Sequence, residues 1–463
     1  MQHALRHHQA DRLSEAAALY RRVLAADPYE PVALQNLGLI ALHHRRYRYA
    51  AELIGKAAIR SPNDPGIHYN LGLAQQQVGR LEAAAASYAK ALALRPDFAE
   101  ARYNRANALK ELGWLHAAVG EYRRVLTLRP DLTQACANLA TSLAELGRAD
   151  EAVAQYRAAL AQQPNSAELH NNLGTALADL GRLDEAASFY RRALTCNPDS
   201  ADAWFNLHGV LYDEQGERAA GCLEAALRIA PNHALSRFLL AVLRKAQGRE
   251  AEAEAHFAAL PAGCELAGYG RDSWDYVKAA SGGRPRLFGE TVEGLALGLG
   301  AAKLDGLVLE FGVRYGTTLR QIAERAGQEV HGFDTFTGLP EDWHDLAAGT
   351  YSAEGQRPPV PGNARLHAGL FTETLPPFLA AHVDPVRFVN IDCDLYSSTQ
   401  TVLTHLARWI VRGTVIVFDE YLFTPHWRED EFKAFHEAVT AHGWRYDYLA
   451  FSLLSKQAVV IIR

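Results

Sequence analysis

Prolines recur along the first half of this 463-residue chain at Pro28, Pro62, Pro96, Pro130, Pro164, Pro198 and Pro231, spaced by 34 residues and, at the last interval, by 33. Other positions keep the same step. Leu37, Leu71, Leu139, Leu173 and Leu207 follow it, with Arg105 as the exception, and so do Gly79, Gly113, Gly147 and Gly181. A third series is aromatic or aliphatic: Tyr20, Ile54, Tyr88, Tyr122, Tyr156 and Tyr190. A period of this length constrains the fold more than composition does. Each unit is one supersecondary piece that buries its apolar face only by stacking on its neighbours. Alanine is frequent where two helices must approach closely, Gly-Arg breaks one helix before the next, and proline closes the unit because it cannot continue a helix.

The unit AELHNNLGTALADLGRLDEAASFYRRALTCNP carries nearly the whole pattern of the tetratricopeptide repeat, which the series resembles over residues 1–260. The resemblance implies an α-helical solenoid and an interaction surface. Asn36, Asn70, Asn104, Asn138, Asn172 and Asn206 recur at one place in each first helix. An amide offers donors and an acceptor, so a ladder of them suits an extended peptide backbone. The other reading is that each amide bonds within the repeats. A protein or peptide in the repeat groove is the expected partner.

The net charge of −6 gives no general nucleic-acid footprint. Five scattered cysteines, 136, 196, 222, 264 and 393, form no CxxC pair and support neither a disulfide framework nor a zinc site. A cytoplasmic setting is expected. No apolar run approaches the roughly 20 residues that span a bilayer, and the first residues lack the apolar stretch of a secretion signal.

After Pro261 the period stops. Gly-Arg-Pro at 283–285 marks a loop, and residues 261–286 are expected to be a linker. Helical spacing returns over 290–303, and then strands and helices alternate. Strands are expected at 307–313, 329–334, 365–368, 386–392, 414–419, 445–451 and 458–462, with helices near 317–326, 373–381, 398–410 and 429–441. Alternation implies a parallel sheet covered by helices, and ligands of such doubly wound α/β sheets bind at the carboxyl ends of strands. The first strand runs into Glu310-x-Gly312-xxx-Gly316, a turn that lets a ligand approach the backbone. The second ends at Asp334, an acid placed either to read a ribose diol or to cap a turn.

Four ordered motifs, LEFGVRYGTT, GFDTFTGLPEDW, IDCDLYSST and VIVFDEY, resemble the macrocin O-methyltransferase (TylF-like) family of S-adenosylmethionine-dependent enzymes over about residues 287–463. The resemblance implies a class I methyltransferase, Rossmann-like domain whose seven strands lie in the order 3-2-1-4-5-7-6. It places Glu310, Gly312 and Gly316 beside the methionine and ribose of S-adenosyl-L-methionine, Asp334 on the ribose, Phe336 and Gly338 nearby, and Gly369 and Phe371 towards the adenine. In that topology Asp392 and Asp419 end neighbouring strands about 4.8 Å apart. Asp392, Asp394, Asp419 and Glu420 then crowd one rim with no Lys or Arg near them in sequence. A hard divalent cation relieves such repulsion. The resemblance implies Mg²⁺ held by Asp392, Asp419 and Glu420, where relatives often carry Asp at the last position, and leaves Asp394 to bond the backbone or the helix start at 397–399.

The expected chemistry is O-methylation of a sugar or other hydroxylated acceptor. The metal lowers the hydroxyl pKa, and Asp392 takes the proton as ligand or as general base. His331, His344, His367 and His426 are alternative bases, and Trp343 and Trp427 lie in loops near the site. The competing reading is an interaction scaffold whose methyltransferase-like domain is inactive.

Overall fold

A computed structural model describes residues 1–213, 216–261, 263–283 and 285–463. Arg284, within the expected Gly-Arg-Pro loop, lies outside them. The chain divides into two compact units: Met1–Leu146 with Glu151–Pro164, and Gly147–Asp150 with Asn165–Arg463.

Helix pairs fill the first unit, among them Pro31–His43 with Tyr47–Arg60, Pro65–Gln77 with Leu81–Leu94, and Ala99–Glu111 with Leu115–Leu128. The reason for the third sequence series lies in their packing. A methyl added at Gly38 would meet Ile54 Cγ1 at 2.4 Å, and one at Gly72 would meet Tyr88 Cε1 at 2.5 Å. A small residue in the first helix thus receives the large side chain of the second. Tyr20, Ile54, Tyr88 and Tyr122 are fully buried for that reason.

The pairs continue in the second unit with Ala167–Asp179, Leu183–Cys196, Ala201–Gly209, Glu217–Ile229, Ala234–Ala246 and Glu250–Ala258. The expected linker is not a loop. It holds a further helix, Leu266–Ala280, whose Trp274 and Val277 are buried. The apolar core runs without a break from Leu223, Phe238 and Leu243 of the repeats through Trp274 to Phe311, Ile391 and Phe418 of the sheet. The last repeats and the α/β part share that core.

The sheet has eight strands: β1 (Leu287–Phe288), β2 (Leu307–Phe311), β3 (Val330–Asp334), β4 (Ala364–Ala368), β5 (Val386–Ile391), β6 (Val415–Phe418), β7 (Tyr446–Ser452) and β8 (Ala458–Ile462). Their order is β1-β7-β8-β6-β5-β2-β3-β4. Only β8 runs antiparallel to its neighbours. Without β1 this is the expected 3-2-1-4-5-7-6 arrangement of a doubly wound α/β fold. β1 is the addition, a two-residue strand that pairs with Phe451 and Ser452. The parallel strands β3, β2, β5 and β6 bring their carboxyl ends to one rim. No helix among the described residues is long and apolar enough to cross a membrane.

Candidate active site

The rim is built by backbone ladders. Gly312 N–H donates to Phe333 O at 3.0 Å, Asp392 N–H to Phe311 O at 2.8 Å, and Asp419 N–H to Ile391 O at 3.0 Å. These bonds set Gly312, Asp392 and Asp419 side by side at the strand ends. Glycine is required at 312: its φ is +90°, and a Cβ there would sit 1.7 Å from the Asp392 carbonyl oxygen.

A cavity of about 520 Å³ opens over this rim, within the size range of small-molecule sites. Of the residues singled out in the sequence, Gly312, Asp334, Gly338, Phe371, Asp392, Asp394, Asp419 and Glu420 line it. Glu310, Gly316, Phe336 and Gly369 do not. Gly316 caps the helix Thr317–Ala326, and Phe336 is buried behind the wall. Glu310 is fully buried. Its Oε1 accepts from Asn390 Nδ2 at 3.1 Å, its Oε2 has no partner, and burial pushes its carboxyl up to about 8.

Asp334 is occupied by the backbone. Its Oδ2 accepts from Val313 N–H at 2.8 Å and Arg314 N–H at 2.7 Å, and its Oδ1 from Phe336 N–H at 2.5 Å. It ties the Gly312 turn to the loop after β3, and few lone-pair directions remain for a ligand.

The acids along the rim raise one another. Burial, then the charges of Asp419 and Asp394, hold Asp392 well above the usual carboxylate range. Burial and Glu420 push Asp394 up to about 7, opposed by Arg314, and burial pushes Asp419 up to about 6. The sequence misses two features here. Glu431, at the start of the helix Glu431–His442, is fully buried, accepts from Cys393 N–H at 3.3 Å and leaves Oε2 unpartnered. The acids are also not without bases. Lys456 Nζ reaches Glu420 Oε1 at 3.1 Å, and Gln457 Nε2 donates to Asp419 Oδ1 at 2.5 Å. Both come from the end of the β7–β8 connection, too far along the chain for local spacing to reveal.

Asp392, Asp419 and Glu420 share the cavity, but their oxygens do not all approach within 4.8 Å of one another. Among the described residues only His344, His426 and Glu429 do so. His344 and His426 stack at 3.9 Å, and His344 Nε2 meets Asp430 Oδ2 at 3.0 Å. His331 and His367 lie off the cavity against Phe378, and burial lowers His331 to about 4. Trp343 donates to Asp430 Oδ1 at 3.3 Å, while Trp427 is buried against Tyr276 and Phe432.

The half-buried amides of the repeats mostly bond within the solenoid. Asn36 Nδ2 donates to Val32 O at 2.8 Å, Asn104 to Tyr69 Oη at 3.2 Å, and Asn138 to Tyr103 Oη at 3.1 Å and Asn107 Oδ1 at 3.0 Å. In the second unit Asn206 donates to Asn171 Oδ1 at 3.1 Å, and Asn172 accepts from Asn171 at 3.4 Å. Asn70 is likewise half-buried.

Residues 309–421 match the family model described as a methyltransferase domain. Tetratricopeptide-repeat models match residues 1–66, 138–207 and 209–265, and further ones match 77–113 and 99–132. Tetratricopeptide repeats here precede a methyltransferase domain. Similar solved structures include MamA, 23% identical, covering 35% of this chain and 96% of that one with a TM-score of 0.34. MamA from Desulfovibrio magneticus RS-1 is 19% identical over 36% of this chain and 96% of that one, with a TM-score of 0.35. YrrB, described as a TPR protein with an unusual peptide-binding site, is 28% identical over 40% of this chain and 96% of its own, with a TM-score of 0.35. Comparison with curated proteins finds no match. S-adenosylmethionine is the usual cofactor of a methyltransferase domain.

Proposed function

We propose that the methyltransferase domain uses S-adenosyl-L-methionine to methylate a hydroxyl of a sugar or similar acceptor, as the macrocin O-methyltransferase-like motifs imply. The observation that carries this reading is the open cavity over Asp392 at the junction of β2 and β5. It also favours an active domain over a scaffold with an inactive one.

The cavity fits the cofactor on two counts. Gly312 and Gly338 leave backbone bare on its wall, and Phe371 offers an apolar face. Asp334 would brace the turn that receives the ribose more than grip the diol. When bound, the cofactor supplies an electrophilic methyl group on sulfonium. Asp392 takes the proton from the acceptor hydroxyl, and its raised affinity for that proton makes it a stronger base. The walls position the acceptor and exclude water.

Asp392 and Asp419 have the chemistry of a hard-cation site, because burial and mutual charge penalise both carboxylates. Mg²⁺ would be held by these two, with Glu420 joining on release from Lys456, and would lower the pKa of a bound hydroxyl. The repeats recruit a protein or peptide. Asn36, Asn70, Asn104 and Asn138 in one unit, and Asn172 and Asn206 in the other, contribute the amide positions their internal bonds leave open. Five free cysteines suit a reducing, cytoplasmic setting.

The test pairs calorimetry with S-adenosylhomocysteine against turnover. Asp392→Asn should keep cofactor binding and lower kcat by about 100- to 10,000-fold, the range of a lost general base. Mass spectrometry of metabolites incubated with protein and cofactor identifies the acceptor. Unchanged turnover in the Asn variant removes Asp392 from the chemistry.

A further inference from the structure

The turns between paired helices of the repeats share one backbone conformation. Gly79, Gly113, Gly147 and Gly181 take φ of +75°, +76°, +65° and +72° there. One repeat before Gly79 the same turn is made by Arg45, with φ of +56°. Asp11, one repeat earlier still, also has positive φ, but aspartate tolerates that region and arginine does so poorly. A strained non-glycine residue kept where glycine is the rule points to a use for its side chain.

The residues around Arg45 depart from the repeat in the same direction. The stretch 43–49 reads HHRRYRY, where the next repeats read QVGRLEA and ELGWLHA. The helix Tyr47–Arg60 has no acid in its first turn and carries Arg48 there. The equivalent helices Leu81–Leu94 and Leu183–Cys196 have Glu82, and Asp184 with Glu185. A cation at a helix N-terminus opposes the helix dipole. A groove of about 850 Å³ is lined by Arg21, Arg45, Arg46, Tyr47, Arg48 and Tyr49. Among the described residues none of these four arginines pairs with an acid of the chain. Like charges have been gathered, against local preference, with no acid among the described residues paired to them.

We propose that this groove docks an acidic, Asp/Glu-rich extended segment of a partner protein. Guanidinium forks match carboxylates two bonds at a time, and the two tyrosines add hydroxyl donors and flat apolar faces. A nucleic acid fits less well. It needs a basic stripe, whereas this cluster is confined to two adjacent repeats of a chain with net charge −6. The inference rests on the recruitment reading above only in giving that partner a chemical class, and it is independent of the methyl-transfer chemistry.

The test uses full-length protein and a fluorescein-labelled peptide of Asp, Glu and Gly. The comparison probes are a Lys/Gly peptide and oligouridylate, each followed by fluorescence anisotropy at low and physiological salt. The acidic peptide should bind, weakening with salt, and the other two should not. Arg45→Gly restores the repeat's own turn residue, and Arg48→Glu restores its own helix start. Each should weaken peptide binding by roughly tenfold, the factor of one lost charge-assisted hydrogen bond, with the melting temperature unchanged or raised. Loss of binding with a stability gain is a combination that a structural role for these arginines does not produce. Wild-type affinity in both variants, or oligouridylate binding as tightly as the peptide, overturns the proposal. Turnover of an acceptor joined to the peptide, compared with free acceptor, reads recruitment separately. Equal values would remove recruitment and leave docking standing.

Discussion

Lys456 Nζ lies 3.1 Å from Glu420 Oε1 across 36 residues of sequence, at a rim where Asp392, Asp394 and Asp419 are all held above their ordinary proton affinity. The ammonium therefore competes with any divalent cation for Glu420. If Glu420 is a metal ligand, Lys456→Ala should lower the Mg²⁺ concentration for half-maximal turnover by roughly three- to tenfold, the scale of one partly screened charge. Initial rates across a Mg²⁺ titration measure it. An unmoved midpoint removes Glu420 from the metal set, and undiminished turnover after exhaustive chelation removes the metal.

The repeat amides separate by what they hold. Asn104 and Asn138 tie successive repeats through Tyr69 and Tyr103, whereas Asn36 bonds a carbonyl of its own helix. Asn138→Ala should therefore destabilise the protein by about 1 kcal/mol, a typical net hydrogen bond, and Asn36→Ala by less. Urea denaturation of the single variants resolves the difference. Equal effects would mean that the inter-repeat bonds carry no stability.

Burial and the nearby charge of Asp179 push Glu290 up to about 7, against about 4.5 in an unfolded chain. Between those values the folded protein retains a proton that the unfolded chain has lost. Its contribution to stability is thus present below pH 4.5 and is lost as pH rises through 7, by about 3 kcal/mol in total. Glu290 also caps the helix Thr291–Ala301, and an amide oxygen can do the same. Glu290→Gln should remove that part of the pH dependence and stabilise the protein at pH 8. A parallel displacement of the two stability–pH curves would show that Glu290 does not titrate in this window.

The features legible in the sequence are those enforced by local chemistry. The 34-residue step shows because Pro62 and Gly79 mark helix ends wherever they occur, whereas the strand order comes from the resemblance that the four motifs carry. Gly312, Asp392 and Asp419 are visible as strand-end residues of polar or permissive type. Distant partners are not visible. Nothing near Lys456 or Glu431 in the chain says that both turn towards the rim. Asp334 is the instructive case: its place at the end of β3 suits a ribose diol, yet the turn after β2 presents it with two N–H groups first. The helix Leu266–Ala280 escapes for a similar reason. Its Gly268 and Gly270 are poor helix formers, and the space at Gly270 is needed by Phe238, which a Cβ would meet at 2.4 Å.

That helix decides where the chain can be cut. Trp274 is 1% exposed, and Ser273 Oγ accepts from Phe423 N–H at 3.1 Å. Tyr276 Oη lies 2.7 Å from Tyr448 Oη and 3.1 Å from His436 Nε2. Phe238 of the repeats meets the ring of Phe423 at 5.9 Å, edge to face, and Asp272 receives Arg428 in two bonds of 2.8 Å. A fragment of residues 287–463 loses all of these partners and exposes the apolar face they cover. It should aggregate or melt without cooperativity, whereas residues 165–463 should unfold in one transition. Within the full chain Trp274→Ala should cost about 3–5 kcal/mol, the range for truncating a buried aromatic. Circular dichroism melts of both fragments and urea denaturation of the variant check this. A cooperative, soluble 287–463 fragment would mean that the repeats are attached to the methyltransferase fold without supporting it, and that the shared core is dispensable.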